Sequence, residues 1–427
     1  MKKILYVVLD GLGDLPIQEL NNQTPLEAAH TPNMDNLAKK GKTGLVFPVT
    51  EGIAPESDIA VISLLGYDVH KYYTGRGPLE CFAEGLNVND GDLALRVNFA
   101  TVSEDGKTIL DRRVGRNLTT EEATALAKEI NTKVKLSEEL SFEFKNTIGH
   151  RGVLVIRHRE KSLSCWITNT DPAYTREGIF GIAKEKFENT VIDSVPLAGY
   201  ENDPTVKLSA SILNEFTLKS HQVLKESFIN KKRISENKLP ANIILARDAG
   251  DHLPKFPSIK ELYGINFGSF VQMPVEKGIA LLCGIEIVEV PPSTGHLDID
   301  YAIWAKLALE SIKKYDGLYI HIKGPDEPAH DGDYIKKKEI IEAIDNYFFT
   351  PLLSKINLKE AILAITSDHS TTCKAKSHTA DPVPFLVCGG DILSDNSLNF
   401  SEKVAKEGSL GKLKGKDILT LLVKFAR

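Results

Sequence analysis

Six residues of the 427-residue chain have the types and spacing to bind metal ions, and a seventh could act as a nucleophile. Asp326 and His330 lie four positions apart in Lys-Gly-Pro-Asp-Glu-Pro-Ala-His-Asp-Gly-Asp. A carboxylate and an imidazole at that separation can close on one divalent ion of the zinc or manganese type. Asp368-His369 is a second such pair, and His378 follows in Lys-Ser-His-Thr-Ala-Asp-Pro. With Asp10, which ends the first apolar run, these three aspartates and three histidines could together hold two ions. Two adjacent ions polarise a phosphoryl group and stabilise the attacking and leaving oxygens of an in-line displacement. Such a site needs a nucleophile, and Ser57 in Pro-Glu-Ser-Asp-Ile-Ala-Val-Ile-Ser sits where a helix should begin. A hydroxyl there meets free backbone N–H groups and the positive end of the helix dipole, which suit a phosphate. Metal coordination would activate it. A serine at that place also serves as a plain N-cap, and the Asp326 segment also reads as a solvated acidic loop; spacing alone leaves these alternatives open.

The candidate residues follow a common kind of element. Runs of β-branched and aliphatic residues at 4–9, 317–322, 361–366 and 384–387 each end abruptly in polar or ligand-type residues: Asp10, Asp326, Asp368-His369 and Cys388-Gly389. Continuous apolar runs suit strands covered on both faces, as in a mostly parallel sheet flanked by helices, and ligands bind beyond the carboxyl ends of such strands. If the first three runs are parallel neighbours, Asp10, Asp326 and Asp368-His369 reach one edge. Thr31-Pro32 and the spacing of Met34, Leu37 and Ala38 predict a helix ending before Gly41, and 299–312 reads as another. Beyond Gly66-Tyr67 the character changes to charged loops, glycine-rich turns and strands at 93–102 and 152–157, with Thr119-Thr120-Glu121-Glu122 as a capping box. The expected architecture is therefore α/β. Residues 1–68 and 245–427 form the domain bearing the ligands, and 69–244 form an inserted α+β domain.

Composition narrows the function. A net charge of −6 and a pI near 6.0 give no global basic field, so nucleic acid is not an expected partner. The five cysteines form no CxxC pair, which argues against a disulfide framework and for a reducing cytoplasm. The first apolar run reaches Asp10 too soon for a signal peptide or membrane span.

Taken together, Val-Leu-Asp10-Gly-Leu-Gly-Asp, Thr31-Pro-Asn-Met-Asp-Asn-Leu-Ala, Glu56-Ser57-Asp58 through Gly66-Tyr67 and Tyr73-Thr-Gly-Arg76-Gly-Pro-Leu-Glu80 form a recognisable series. It continues through Arg96-Val-Asn-Phe-Ala-Thr, Asp111-Arg-Arg-Val-Gly-Arg116, Gly149-His-Arg151-Gly, His321-Ile-Lys-Gly-Pro-Asp326 and Thr366-Ser-Asp368-His369-Ser-Thr. The series resembles the alkaline phosphatase superfamily and, within it, the cofactor-independent phosphoglycerate mutases of archaeal type. The resemblance implies an alkaline phosphatase-like core and exchange of 2- and 3-phosphoglycerate through a phosphoserine on Ser57. It implies one ion on Asp10, Ser57, Asp368 and His369 and the other on Asp326, His330 and His378. Manganese is the first expectation, with zinc, cobalt or magnesium as substitutes and no 2,3-bisphosphoglycerate. The insert would cap the site, and Arg112, Arg113, Arg116 and Arg151 would hold a small phosphorylated carboxylic acid through guanidinium forks. The chain departs from many relatives at Thr170-Asp171-Pro172-Ala173-Tyr174, where they place a histidine after the proline. A phosphomonoesterase, or a phosphotransferase to another small alcohol such as the homoserine kinase-like relatives, is the alternative on the same core.

Overall fold

The structure, a computed structural model, describes residues 1–184 and 186–427. The chain forms two compact units, Met1–Tyr72 with Lys255–Arg427 and Tyr73–Pro254.

In the first unit the apolar runs become the centre of an eight-stranded sheet. Lys3–Leu9 lies between Gly317–Ile322 and Ala361–Thr366, parallel to both, with Val8 beside His321 and Thr366 in register. Phe267–Phe270 and Glu286–Ile287 extend it on one side in parallel. On the other side Val383–Gly389 pairs antiparallel with both Ala361–Thr366 and Lys42–Phe47. Cys388 therefore ends its strand at the opposite edge from Asp10, buried in the apolar core rather than among the candidate ligands. Leu5, Val7, Leu9, Leu318, Ile320, Leu363 and Ile365 share that core with Met34, Leu37, Trp304 and Ala308 of two covering helices. This explains why these strands read as unbroken apolar runs.

The helix predicted after Thr31 spans Pro32–Lys40 with proline at its first turn, but the Thr31 side chain makes no capping bond. Asp345 supplies it instead, accepting from Asn33 N at 3.1 Å and Met34 N at 2.8 Å. The second predicted helix runs Leu297–Ser311.

The second unit is an antiparallel sheet with helices, an α+β arrangement. Leu93–Val102 pairs with Arg151–His158 on one side and Ile243–Gly250 on the other. Its residues alternate between two apolar layers: Leu93, Leu95, Val97 and Phe99 enter the larger core, while Ala94 joins Val153, Val155 and Cys81 on the opposite face. Thr120–Lys133 opens with the capping box of Thr119 and Glu122. Because Ile243–Gly250 hydrogen-bonds inside this sheet, the chain returns to the first unit at Lys255 rather than at 245. Among the described residues no helix is long and apolar enough to cross a membrane.

Candidate functional site

Strand ends in the first unit bring the six candidate ligands together. Asp10 follows Lys3–Leu9, Asp326 and His330 lie one turn apart in the Asp326–Asp331 helix after Gly317–Ile322, and Asp368-His369 follows Ala361–Thr366. His378 arrives from a small ladder in which Ser377–Thr379 pairs with Ser370–Thr372. Asp326, His330 and His378 offer ligand atoms within 4.8 Å of one another, as do Asp10, Asp326 and His369, and as do Asp10, His321 and Asp368. The close approach of Asp10 to Asp326 requires Gly11, which adopts φ 62° and where a Cβ would lie 2.7 Å from that of Asp326. Gly11 N donates to Asp368 Oδ1 at 3.1 Å, and His369 N donates to the same oxygen at 3.0 Å. Asp368 Oδ2 is thereby left facing inward.

The hydrogen bonds fix how the imidazoles face. His330 Nδ1 lies 3.0 Å from Lys376 O and His378 Nδ1 lies 2.9 Å from Pro55 O. A carbonyl only accepts, so each Nδ1 carries hydrogen, and in the neutral ring each Nε2 presents a lone pair. Those lone pairs lie 3.4 and 3.7 Å from Asp326 Oδ1. His369 Nε2 lies 3.3 Å from Asp10 Oδ1 and 3.2 Å from Asp368 Oδ2, and neither carboxylate oxygen accepts a hydrogen bond from a described residue. Acceptors aimed at acceptors call for cations between them, most strongly where Asp10, Asp368 and His369 are buried; the Asp326 group is half-buried with His330 exposed. The residues thus fit divalent ions by their own chemistry. Protons respond to the same field: burial alone would push the Asp368 carboxyl up, but His369 and His321 hold it well below its usual range. Burial would depress His369, yet Asp368 and Asp10 raise it well above an ordinary histidine.

Ser57 is the first residue of the Ser57–Leu64 helix, whose N-cap position is taken by Glu56, and Ser57 Oγ lies 3.3 Å from His369 Nε2. The serine is therefore not the N-cap.

Beside Asp10 lies a charged group built from Lys323, His321 and Glu276. Lys323 Nζ sits 2.5 Å from Asp10 Oδ2 and 2.6 Å from Glu276 Oε1. His321, fully buried, has Nδ1 3.6 Å from Glu276 Oε1 and Nε2 3.5 Å from Asp368 Oδ2. Burial opposes the Lys323 charge, but Asp10 and Glu276 raise its pKa and keep it an ammonium. An ionisable His321 inside an all-buried strand was the available signal; Glu276, on an ordinary amphipathic helix, offered none.

The second unit holds a cavity of about 550 Å³ lined by Arg112, Arg113, Arg116 and Arg151, the four arginines singled out from the sequence, together with Arg96, Arg247, His150 and Tyr174. Asp171, fully buried, accepts from Arg112 Nε at 2.8 Å and Nη2 at 2.6 Å and from Arg247 Nη1 at 3.0 Å. Tyr174, from the departing motif, lies under the Arg247 guanidinium, 4.3 Å from its ring centroid. Burial and then the nearby Arg151, Arg113 and Arg247 push His150 down to about 4. Arg76 instead pairs with Glu80 at 2.7 Å, and Asp111 accepts from the backbone N–H of Arg113.

A parallel-sheet edge that gathers carboxylates, imidazoles and a helix-start hydroxyl defines an α/β protein with a candidate metal centre of the kind phosphoryl-transfer enzymes use. Residues 38–230 match the family model described as 2,3-bisphosphoglycerate-independent phosphoglycerate mutase. A relative of that name from Aeropyrum pernix is 43% identical over 97% of this chain and 96% of its own length. One from Methanopyrus kandleri is 38% identical over 100% and 96%. Among solved structures, the cofactor-independent phosphoglycerate mutase of Thermoplasma acidophilum is 31% identical and covers 100% of both chains with a TM-score of 0.67. A Pyrococcus horikoshii protein is 32% identical and covers 100% and 97% with a TM-score of 0.80. The chain belongs to the 2,3-bisphosphoglycerate-independent phosphoglycerate mutases and is an enzyme of that family, as its motifs led us to expect.

Proposed function

We propose that the chain interconverts 2-phosphoglycerate and 3-phosphoglycerate in the cytoplasm, in glycolysis and gluconeogenesis, by passing the phosphoryl group through Ser57 without 2,3-bisphosphoglycerate. The observation that carries the reading is Ser57 Oγ at a helix start, 3.3 Å from His369 Nε2 within the carboxylate–imidazole cluster. In this reading Asp10, Ser57, Asp368 and His369 hold one ion and Asp326, His330 and His378 the other; carboxylate and imidazole donors suit manganese, zinc, cobalt or iron, and manganese is the metal the family resemblance puts first. Ions bound there would polarise a phosphoryl oxygen and lower the pKa of the serine hydroxyl. Ser57 gives up its hydroxyl proton as its Oγ bonds to phosphorus and the bond from phosphorus to the glycerate oxygen breaks, and that oxygen takes a proton in exchange. The other glycerate hydroxyl then gives up its proton and takes the phosphoryl group back as the bond from phosphorus to Ser57 Oγ breaks and the serine oxygen is reprotonated. The Ser57–Leu64 helix start turns the positive end of its dipole toward a phosphate on Ser57, and the Lys323 ammonium adds positive charge beside Asp10.

The arginine-lined cavity supports a mutase over a phosphomonoesterase or a phosphotransferase to another alcohol. A phosphatase releases its alcohol, whereas a mutase must retain an anionic glycerate between half-reactions. Arg113, Arg116 and Arg151 offer guanidinium groups for its carboxylate, and Asp171 orients Arg112 and Arg247. The test is a coupled assay with 3-phosphoglycerate, enolase and manganese and no added 2,3-bisphosphoglycerate. Steady phosphoenolpyruvate production is expected; release of inorganic phosphate alone, or a strict need for the bisphosphate, would overturn the reading.

A further inference from the structure

Thr371 joins the two proposed ion groups. Its side chain is fully buried, with Oγ1 donating to Asp326 Oδ1 at 2.6 Å and lying 2.9 Å from His369 Nδ1. A hydroxyl has one hydrogen to give. Since the Asp326 carboxylate accepts it, the His369 contact must run the other way, from Nδ1–H to the threonine oxygen. The ring of His369 is thereby held with its hydrogen on Nδ1 and the Nε2 lone pair turned toward Asp10, Asp368 and Ser57.

The rest of Thr371 is fixed as firmly. It faces His378 across the Ser370–Thr372 and Ser377–Thr379 ladder. Its carbonyl accepts at 2.8 Å from Lys337 Nζ, a buried ammonium that also donates to Gly13 O and Asp14 Oδ2, each at 3.0 Å. That lysine ties the strand carrying Thr371 to the loop that follows Asp10. The β-branched side chain adds stiffness at χ1.

We infer that Thr371 is a positioning residue for the metal centre: it sets the tautomer of His369 and ties that ring to Asp326 of the other group. The inference rests on the reading that these groups bind divalent ions. Without the hydroxyl, the neutral ring gains by moving its hydrogen to Nε2, where Asp10 Oδ1 and Asp368 Oδ2 stand ready to accept at 3.3 and 3.2 Å. In that tautomer Nε2 has no lone pair for an ion. Removing such an orienting partner weakens metal affinity by about 10- to 100-fold.

The experiment titrates metal-stripped full-length protein with manganese by calorimetry, for the wild type and for Thr371→Val, Thr371→Ala and Thr371→Ser. The valine and alanine variants should bind at least one ion about 10- to 100-fold more weakly, and serine should restore the affinity to within a few-fold. Equal affinities in all four proteins, or a serine variant as weak as valine, would overturn the role of the hydroxyl while leaving the metal reading intact. A wild type that binds no manganese or zinc would overturn both. Nitrogen-15 spectra of histidine-labelled, zinc-loaded wild type give a readout that needs no variant: His369 should carry hydrogen on Nδ1 with Nε2 metal-bound, and the reverse assignment would contradict the inference.

Discussion

The two units present opposite halves of one electrostatic problem. The first gathers acceptors, with Asp10, Asp368 and Asp326 facing the lone pairs of His330, His369 and His378, answered in part by Lys323, Thr371, His321 and two backbone N–H groups. The second gathers donors, with six guanidinium groups around one cavity against the buried carboxylates of Asp171, Asp248 and Glu80. Each is an incomplete charge set built into a rigid frame, strand ends in one and antiparallel strands in the other. Buried groups of like character are costly unless a partner arrives, so the first unit is shaped for cations and the second for anions. A phosphorylated carboxylic acid handled with divalent ions needs both.

If that contrast is right, the largest effects belong to the acceptor cluster. Asp10→Asn and Asp326→Asn, which keep shape and remove charge, should each lower kcat by about a thousandfold or more, at roughly 1.4 kcal/mol per tenfold. Circular dichroism should show a folded chain, and chelation of the wild type should reproduce the loss until manganese is restored. Near-normal turnover in either variant would break the cation side of the comparison.

The donor cavity should give intermediate effects of a different kind. Arg113→Ala and Arg116→Ala each remove a charged hydrogen-bond donor, at about 1.5–3 kcal/mol, so KM should rise about 10- to 100-fold with a smaller change in kcat. Manganese affinity should stay unchanged. A loss confined to kcat, or a weakened metal site, would mean that these arginines do not serve substrate.

The smallest effect is on acid stability. His150 sits at about 4 in the folded protein, pushed down by burial and neighbouring arginines, against about 6.5 in an unfolded chain. Between those values the unfolded state binds more protons, so stability rises with pH across the window. The contribution is fully present above about 6.5 and lost as pH falls toward 4. His150→Gln should flatten the slope of the urea midpoint between those pH values and leave the midpoint at pH 8 nearly unchanged. An unchanged slope would show that the donors around His150 are better screened than the cavity suggests.

Much of this contrast was legible in the sequence because both clusters sit where chain pattern changes sharply. Gly317–Ile322, Ala361–Thr366 and Leu93–Val102 have the bounds that their apolar runs predict, and the capping box at Thr119 opens its helix as read. What stayed hidden depends on long-range partners. Local sequence showed a cap in Thr31, but Asp345, more than three hundred positions away, supplies the bonds. Strand direction cannot be read from an apolar run, so the reversal of Val383–Gly389 and the position of Cys388 were not foreseeable. Ile243–Gly250 looked like a return to the first unit because its apolar residues suit either sheet; pairing with Leu93–Val102 decided the matter. Arg247 in that strand and His321 in another are ionisable groups in fully buried strands, a signal that could have marked them. Thr371 and Glu276 become meaningful only once their partners are in place.

The account turns on Ser57, and rapid acid quench of manganese-loaded enzyme during turnover of 3-phosphoglycerate tests it most directly. Peptide mass spectrometry should find a single added phosphoryl group on the peptide containing Ser57. Ser57→Ala should show neither that group nor any mutase or phosphatase turnover, while still binding manganese. Continued turnover with an unmodified Ser57 peptide, or turnover by the alanine variant, would contradict the mechanism.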